Sequence, residues 1–162
     1  MVRMTVQRVG IDPSKQALVI LADEDERRLL PIMIGLFEAQ SIAMAISGED
    51  IGRPLTHDLL LSVITQLGWQ LDRIEITRLA DKTFFALLQL ERGGQSLAID
   101  SRPSDALALA LRAHAGIFVA EDVLGRAQII DDSAEQEEQE EHDAARFRDL
   151  LGRLDLEEDS SE

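Results

Sequence analysis

The sequence predicts an α+β domain built from a repeated β-β-β-α unit, with mostly antiparallel strands and helices packed on them. Short apolar segments bounded by turn residues come in the order three strands, helix, three strands, helix. Of the 162 residues, 45% are hydrophobic but only 4% are aromatic. This composition is typical of a globular core made from Leu, Ile, Val and Ala.

The first half of the chain predicts three strands followed by a helix. Clusters of turn-forming or acidic residues separate the strands, which we expect at residues 2–9, 16–22 and 27–34. Gly35 ends the third strand. Residues 36–47 then carry Ala, Ile and Met at spacings of three and four, the period of a helix, and Gly48 is a stop signal.

The second half predicts a second helix and then a similar series of elements. We expect the helix at residues 56–67, with Thr56 as its N-cap and Gly68 just beyond its end. After it the pattern predicts three strands, a second long helix, a short strand, a helical turn and a last short strand. These fall at residues 70–78, 83–91, 95–100, 104–115, 117–120, 121–125 and 127–130.

The two halves match at an offset of 67 residues. This offset places the third predicted strand of each half over the other, and it places Glu38 over Asp105. Few of the matches are identities, so they support a duplicated unit through pattern more than through residue type. If the two units face each other across a pseudo-twofold axis, these two carboxylates approach a shared cleft.

Residues 131–162 form an acidic tail that differs in kind from the domain at residues 1–130. The net charge of the chain is −15, and the tail alone holds 14 acidic and 3 basic residues. Its first part has too few apolar residues to order itself, so we expect the tail to be partly disordered. Near residues 143–156, apolar residues at helical spacing predict a short amphipathic helix, which either docks on its own domain or binds a protein partner.

Several classes of site and location are excluded by composition. The chain has no Cys, which excludes disulfides, thiol catalysis and cysteine-ligated metals. The most apolar stretch, residues 29–46, is interrupted by Pro31, Gly35 and Glu38, so we expect a strand and a helix and no membrane span. The N-terminus has no signal-peptide pattern, and we expect a cytoplasmic protein.

Two Arg-Pro segments are the strongest candidates for chemistry. Arg53 and Arg102 each precede a predicted helix whose first turn holds a hydroxyl, from Thr56 or Ser104, and a carboxylate. An Arg beside the backbone N–H groups of a helix N-terminus is typical of a phosphate site. An Arg–Asp ion pair that only fixes the loop is the structural alternative.

Acidic residues and one histidine surround these segments. His57 is a candidate general acid or base, although a lone histidine in a first helical turn is more often structural. Carboxylate oxygens are the ligands that Mg²⁺ and Mn²⁺ prefer, and such an ion could activate water. The candidate metal ligands, of which all but Asp100 are also candidate catalytic residues, are Glu38, Asp58, Asp100 and Asp105.

Four segments, in this order, resemble the bifunctional nuclease (BFN) domain family, whose members are described as acting on DNA and RNA. They are LPIMIG at 30–35 with EA at 38–39, RPLTHD at 53–58, TFFA at 83–86 and IDSRPSDA at 99–106. The resemblance runs over residues 2–130 and implies an α+β fold, a homodimer and nuclease activity on DNA or RNA. It supplies no catalytic residues, so the roles given above come from the residues themselves.

The leading hypothesis is therefore a metal-assisted phosphodiesterase that acts on nucleic acid. In it, Arg53 and Arg102 bind phosphate and His57 is the acid or base. The alternative is a non-catalytic module that binds an anion or a protein partner. The net negative charge of the chain argues against a broad nucleic-acid-binding surface, because binding without sequence preference depends on cationic contacts.

Overall fold

The protein is described by a computed structural model, which defines residues 1–49 and 51–127. Seven strands and four helices occur in this part of the chain. In chain order they are β1 (Val2–Ile11), β2 (Ala17–Asp23), β3 (Leu29–Met33), α1 (Leu36–Ser47), α2 (Thr56–Gln66), β4 (Gln70–Ala80), β5 (Thr83–Arg92), β6 (Gln95–Ser101), α3 (Pro103–Ala113), β7 (Gly116–Val119) and α4 (Glu121–Arg126).

All seven described strands form one sheet in the order β3-β2-β1-β7-β4-β5-β6. Neighbouring strands are antiparallel except for β4 and β7, which run parallel. The predicted α+β class with mostly antiparallel strands is confirmed. The short strand β7 joins two three-stranded halves that each pair only with their own members and with it.

The repeated β-β-β-α unit is also present. Strands β1–β3 with α1 form the first unit, and β4–β6 with α3 form the second. Because β7 is antiparallel to β1 and parallel to β4, β1 and β4 run in opposite directions. That relation is what a pseudo-twofold axis perpendicular to the sheet requires, and it keeps α1 and α3 on the same face of the sheet.

Helix α3 lies at the centre of this helical layer. Pro103 occupies its first turn, where a missing N–H costs nothing. Nearly every residue from Pro103 to Ala110 is buried, including Leu107 and Leu109 on opposite sides of the helix. Small alanines alternate with these leucines, so the sheet and the neighbouring helices can approach α3 closely.

A second, smaller apolar cluster lies on the other face of the sheet. In β2, Val19 and Leu21 belong to the main core, whereas Ile20 and Ala22 form the smaller cluster with Leu29. Successive side chains of a strand point to opposite faces, so β2 is buried on both sides. Its continuous apolar run is the sequence signal of that burial.

The structure differs from the predicted boundaries at the start of α2 and after α4. Helix α2 begins at Thr56 with Leu55 at the N-cap position, so the prediction of Thr56 as N-cap is wrong: the carboxylate of Asp58 accepts the Leu55 N–H instead, at 2.8 Å. Gly68 lies just beyond the end of the helix, as predicted, and has a φ of +81°. The last predicted strand begins at Ala127, which follows α4 without strand pairing, and its remainder lies outside the described residues.

The acidic tail and its predicted amphipathic helix also lie outside the described residues. Residues 1–130 group into one compact unit. Within the described ranges, no helix combines the length and the apolar character needed to cross a bilayer.

Candidate active site

A pocket of about 500 Å³ lies between α1 and the N-termini of α2 and α3. One wall is apolar and is made by Phe37, Met44, Ile51 and Leu55. The other is polar and carries side chains from all three helices. The pocket therefore combines an apolar surface with a small set of converging polar groups, as ligand sites commonly do.

His57 is the centre of the polar wall. Its Nδ1 lies 2.8 Å from the hydroxyl of Ser41 on α1, and its Nε2 lies 2.9 Å from Oδ1 of Asp105 on α3. Only 13% of the His57 side chain is exposed. The imidazole is thus fixed at both nitrogens by groups from two other helices, while one edge still borders the pocket.

Arg102 joins the two carboxylates of the pocket. Its Nε and Nη2 donate to Asp105 at 2.7 and 3.1 Å, and its Nη1 donates to Oε1 of Glu38 at 2.9 Å. Burial opposes the charged form of Asp105, but the hydrogen bonds from Arg102 and His57 outweigh it, so the pKa of Asp105 is lowered. Asp105 is therefore an ionised acceptor near neutral pH.

The Glu38 side chain folds back over the glycine before its helix. Gly35 has an ordinary extended conformation, but a Cβ on it would overlap Oε2 of Glu38. The glycine leaves room for the Glu38 side chain to fold back over the start of α1. The repeat pairs Glu38 with Asp105, and the structure brings these two carboxylates onto one guanidinium.

Asp58 belongs to an adjoining network built on Arg112. The Nε of Arg112 donates to Asp58, and its Nη1 donates to the backbone oxygens of Ser41 and Ala108 at 3.2 and 2.9 Å. The hydrogen bond from Arg112, with that from the Leu55 N–H, lowers the pKa of Asp58. Arg112 thus fixes the start of α2 and the backbone of α1 at Ser41.

Arg53 and Thr56 lie at the margin of this site. Thr56 borders the main pocket. Arg53 borders a neighbouring pocket of about 450 Å³, which also contacts Asp58 and Arg112. The two pockets share the side chains of Met44, Ile51 and Leu55 as a common wall. The two Arg-Pro segments therefore lie close together, but Arg102 borders the main pocket and Arg53 borders the neighbouring one.

The structure does not bring Asp100 and Ser104 into the main pocket. In β6, Ile99 pairs with the core residue Leu88, and Asp100 pairs with Leu87 on the opposite side of the sheet. Asp100 is therefore on the face away from the helices. Ser104 is only 6% exposed and borders a different pocket. Sequence proximity to Arg102 was a poor guide to both positions.

Among residues 1–49 and 51–127, no three or more His, Cys, Asp or Glu side chains are grouped as a metal site. The four predicted ligands are divided: Glu38 and Asp105 share Arg102, Asp58 pairs with Arg112, and Asp100 lies across the sheet. Metal binding at these residues stays a prediction.

Two residues of the site were not found from the sequence. Ser41 lies three residues after Glu38 and Arg112 lies seven after Asp105, so each shares a helix face with a predicted site residue. This periodicity was the available signal. Neither residue type stands out in an Ala- and Leu-rich helix without knowledge of its partners on the facing helices.

Comparison with known proteins gives matches along most of the chain. A family model described as the bifunctional nuclease domain matches residues 19–132. An uncharacterized protein of Mycobacterium tuberculosis is 37% identical over 153 residues, which cover 90% of this chain and 92% of that protein.

Plant relatives are more distant. Bifunctional nuclease 1 of Arabidopsis thaliana is 26% identical over 99 residues, covering 59% of this chain and 30% of its own length. Bifunctional nuclease 2 of Oryza sativa subsp. japonica is 27% identical over 106 residues, covering 64% and 33%. The chain thus spans about a third of these plant proteins. The family model covers well over half of its 162 residues and all three helices of the pocket, and the chain belongs to the bifunctional nuclease domain family.

Proposed function

We propose that this protein is a nuclease that hydrolyses phosphodiester bonds of DNA or RNA in the pocket between α1, α2 and α3. Family membership suggests nuclease activity, and the plant relatives carry that name. The observation that carries the proposal is His57, whose Nε2 is held by Asp105 and whose Nδ1 contacts the Ser41 hydroxyl at the border of an open pocket.

In this proposal His57 is the general acid and base. The ionised Asp105 accepts a hydrogen bond from Nε2–H of His57, so in the neutral imidazole Nδ1 keeps its lone pair. That nitrogen can take a proton from the attacking group and return it to the leaving oxygen. Asp105 stabilises the imidazolium formed in between, and Arg102 holds Asp105 in position.

Phosphate binding needs more positive charge than the pocket alone supplies. Glu38 and Asp105 carry two negative charges against one on Arg102. Arg53, whose side chain makes no hydrogen bond or ion pair within residues 1–49 and 51–127, is free to bind a neighbouring phosphate across the shared wall. Thr56 borders the main pocket and can donate its hydroxyl.

Mg²⁺ or Mn²⁺ would supply further charge. Such ions commonly use one or two carboxylates together with substrate phosphate oxygens and water, and Glu38, whose Oε2 is not used by Arg102, fits that limited role. A bound ion would neutralise the phosphate. Asp58 and Asp100 are less suited, because the first is paired with Arg112 and the second lies across the sheet.

The test is cleavage of end-labelled single- and double-stranded DNA and RNA with Mg²⁺, with Mn²⁺ and with EDTA. We expect His57→Ala and Asp105→Asn to lower the rate on the order of 10² to 10⁴-fold. His114→Asn is the matched control, because His114 has a φ of 54° that Asn tolerates and borders none of the pockets described here. Full activity in His57→Ala, or no cleavage by the wild type, overturns the proposal.

A protein-interaction module is the second candidate, and one observation favours it. Apolar side chains on α1, on α2 and directly after α2 face outward: Phe37 is 82% exposed, Leu59 57% and Leu67 65%. Exposed apolar groups of this kind mark interaction surfaces, and the homodimer implied by the family resemblance would cover them. Light scattering of the wild type and of Leu59→Glu tests this: a dimer that becomes a monomer supports it, and a monomeric wild type refutes it.

A further inference from the structure

We infer that Ser41 is the nucleophile of the proposed phosphodiesterase and that cleavage passes through a phosphoserine at this position, whose phosphorus still carries the second ester group of the substrate. The inference rests on the function proposed above and adds a covalent step to it. Ser41 borders the pocket, and its Oγ lies 2.8 Å from Nδ1 of His57, whose other nitrogen lies 2.9 Å from Asp105. Hydroxyl, imidazole and carboxylate thus form a continuous chain.

The direction of the hydrogen bonds in this chain follows from the charge of Asp105. An ionised carboxylate can only accept, so Nε2 of His57 carries the ring proton and donates it. Nδ1 is then an acceptor, and the Ser41 hydroxyl donates to it. This is the polarity by which a Ser-His-Asp triad activates its serine, with the two ring nitrogens exchanged.

The Ser41 hydroxyl also differs from most Ser and Thr hydroxyls in helices in its hydrogen-bond partner. Ser and Thr in a helix commonly donate to a backbone oxygen three or four residues earlier. Ser47 in α1 donates to Met44 O at 3.2 Å, and Thr65 in α2 donates to Leu61 O at 2.9 Å. Ser41 instead bonds across to α2, and its own backbone oxygen is held by Arg112.

The proposed reaction balances with water as the only co-reactant. In the first step, Ser41 Oγ attacks phosphorus, an Oγ–P bond forms and the bond from phosphorus to the leaving oxygen breaks. The Ser41 proton passes to His57 Nδ1 and then to the leaving oxygen. In the second step, water attacks the phosphoserine, gives its proton to Nδ1, and Ser41 regains a proton as the Oγ–P bond breaks.

The rival mechanism uses His57 to activate water directly, and Ser41 then only orients the ring. The two mechanisms differ in stereochemistry at phosphorus. Direct attack is one displacement and inverts the configuration, whereas a phosphoserine requires two displacements and retains it. A phosphorothioate diester of known configuration, cleaved by the wild-type protein in ¹⁸O-labelled water, distinguishes them. We expect retention, and inversion overturns the inference.

Substitution gives a second readout. Ser41→Ala should lower cleavage on the order of 10³-fold or more, and bis(p-nitrophenyl) phosphate should give the wild type a burst of p-nitrophenolate and a phosphorylated peptide that contains Ser41. Ser47→Ala is the matched control on the same helix. If the wild type cleaves but Ser41→Ala retains its rate, only the nucleophile is wrong. If the wild type cleaves nothing, the proposed function fails as well.

Discussion

Arg102 binds two carboxylates and is still 64% exposed. Ion pairs at so exposed a side chain contribute little stability, about 1 kcal/mol or less. Its larger effect is on Asp105, whose ionised form it favours. The same residue can therefore matter for the hydrogen bond that Asp105 accepts from His57 without mattering much for the fold.

Arg102→Gln tests this separation. We expect the melting temperature to change little and the cleavage rate to fall by at least tenfold, since Asp105 loses its strongest partner. Arg73→Gln is the matched control: Arg73 also bridges two carboxylates, those of Asp72 and Glu75, but it lines none of the three pockets. If Arg102→Gln loses much stability and Arg73→Gln does not, the result would instead support the structural alternative, in which the ion pair of Arg102 only fixes the loop.

Arg112 differs because its side chain is only 9% exposed. Replacing it with Met keeps the apolar stem but removes the guanidinium that donates to Asp58 and to the Ser41 carbonyl, and Asp58 keeps only the Leu55 N–H. We expect a cost of about 1–3 kcal/mol in the free energy of unfolding, measured by urea titration. Adding Asp58→Asn should recover part of this loss, because an unpaired charge is then removed. Equal stability of the single mutant and the wild type would contradict the role given to Arg112.

At the scale of elements, α3 shows why a central helix is hard to recognise. Its burial extends around the whole helix, whereas pattern analysis expects one apolar face. The sequence still located it, because Pro103 marks its start and apolar residues run through it. Which neighbours cover it depends on the packing of other helices, which no local pattern contains.

Burial predicts sharply different costs for two leucines of the second unit. Leu107 in α3 is fully buried, and Leu97 on the edge strand β6 is 42% exposed. Leu107→Ala should cost about 2–5 kcal/mol of unfolding free energy, as core truncations do. Leu97→Ala should cost clearly less. Both are measured by chemical denaturation, and similar costs would mean that α3 is not the centre of the core.

The elements were largely predictable and the site only in part. Strand and helix positions follow from periodicity and from turn residues such as Gly48 and Gly68. Glu38, His57 and Asp105 were selected as polar residues at helix starts, and the fold brings them together. Asp100 was selected by its position two residues before Arg102, but the alternation of β6 turns it to the other face.

For the whole molecule, acidic pH should weaken the fold in a specific range. Burial disfavours the charged form of Asp23, but hydrogen bonds from Arg28 and Arg27 outweigh it and lower its pKa, as Arg102 and His57 do for Asp105. A carboxyl with a lowered pKa stabilises the folded state above the ordinary value of 3.8, and that contribution is lost as the pH falls below it.

Urea titrations between about pH 6 and pH 2 should therefore show stability falling below about pH 4. Asp23→Asn should be less stable at neutral pH and should show a shallower fall, because one of the linked protons is gone. Asp25→Asn, at a neighbouring exposed position with no resolved partner in the described chain, is the control. An unchanged slope in Asp23→Asn would contradict the linkage.

The strand order could not be predicted from the chain alone. Each hairpin follows from short turns, but the pairing of β7 with both β1 and β4 joins segments far apart in sequence. Such pairing depends on the packing of α1 and α3 on one face. The repeat made a pseudo-twofold arrangement a reasonable expectation, yet it gave no sign that a strand outside both units would lie on the axis.

The late position of β7 in the chain determines when the two halves of the sheet can join during protein synthesis. Residues 116–119 are the only hydrogen-bonded link in the described sheet between its two halves, and they come late in the chain. While a ribosome is still making the protein, β1 and β4 each expose an open backbone edge until this short segment emerges. Ribosome-bound chains in which residues 116–119 are still inside the exit tunnel should therefore be far more susceptible to protease than chains long enough to have released them.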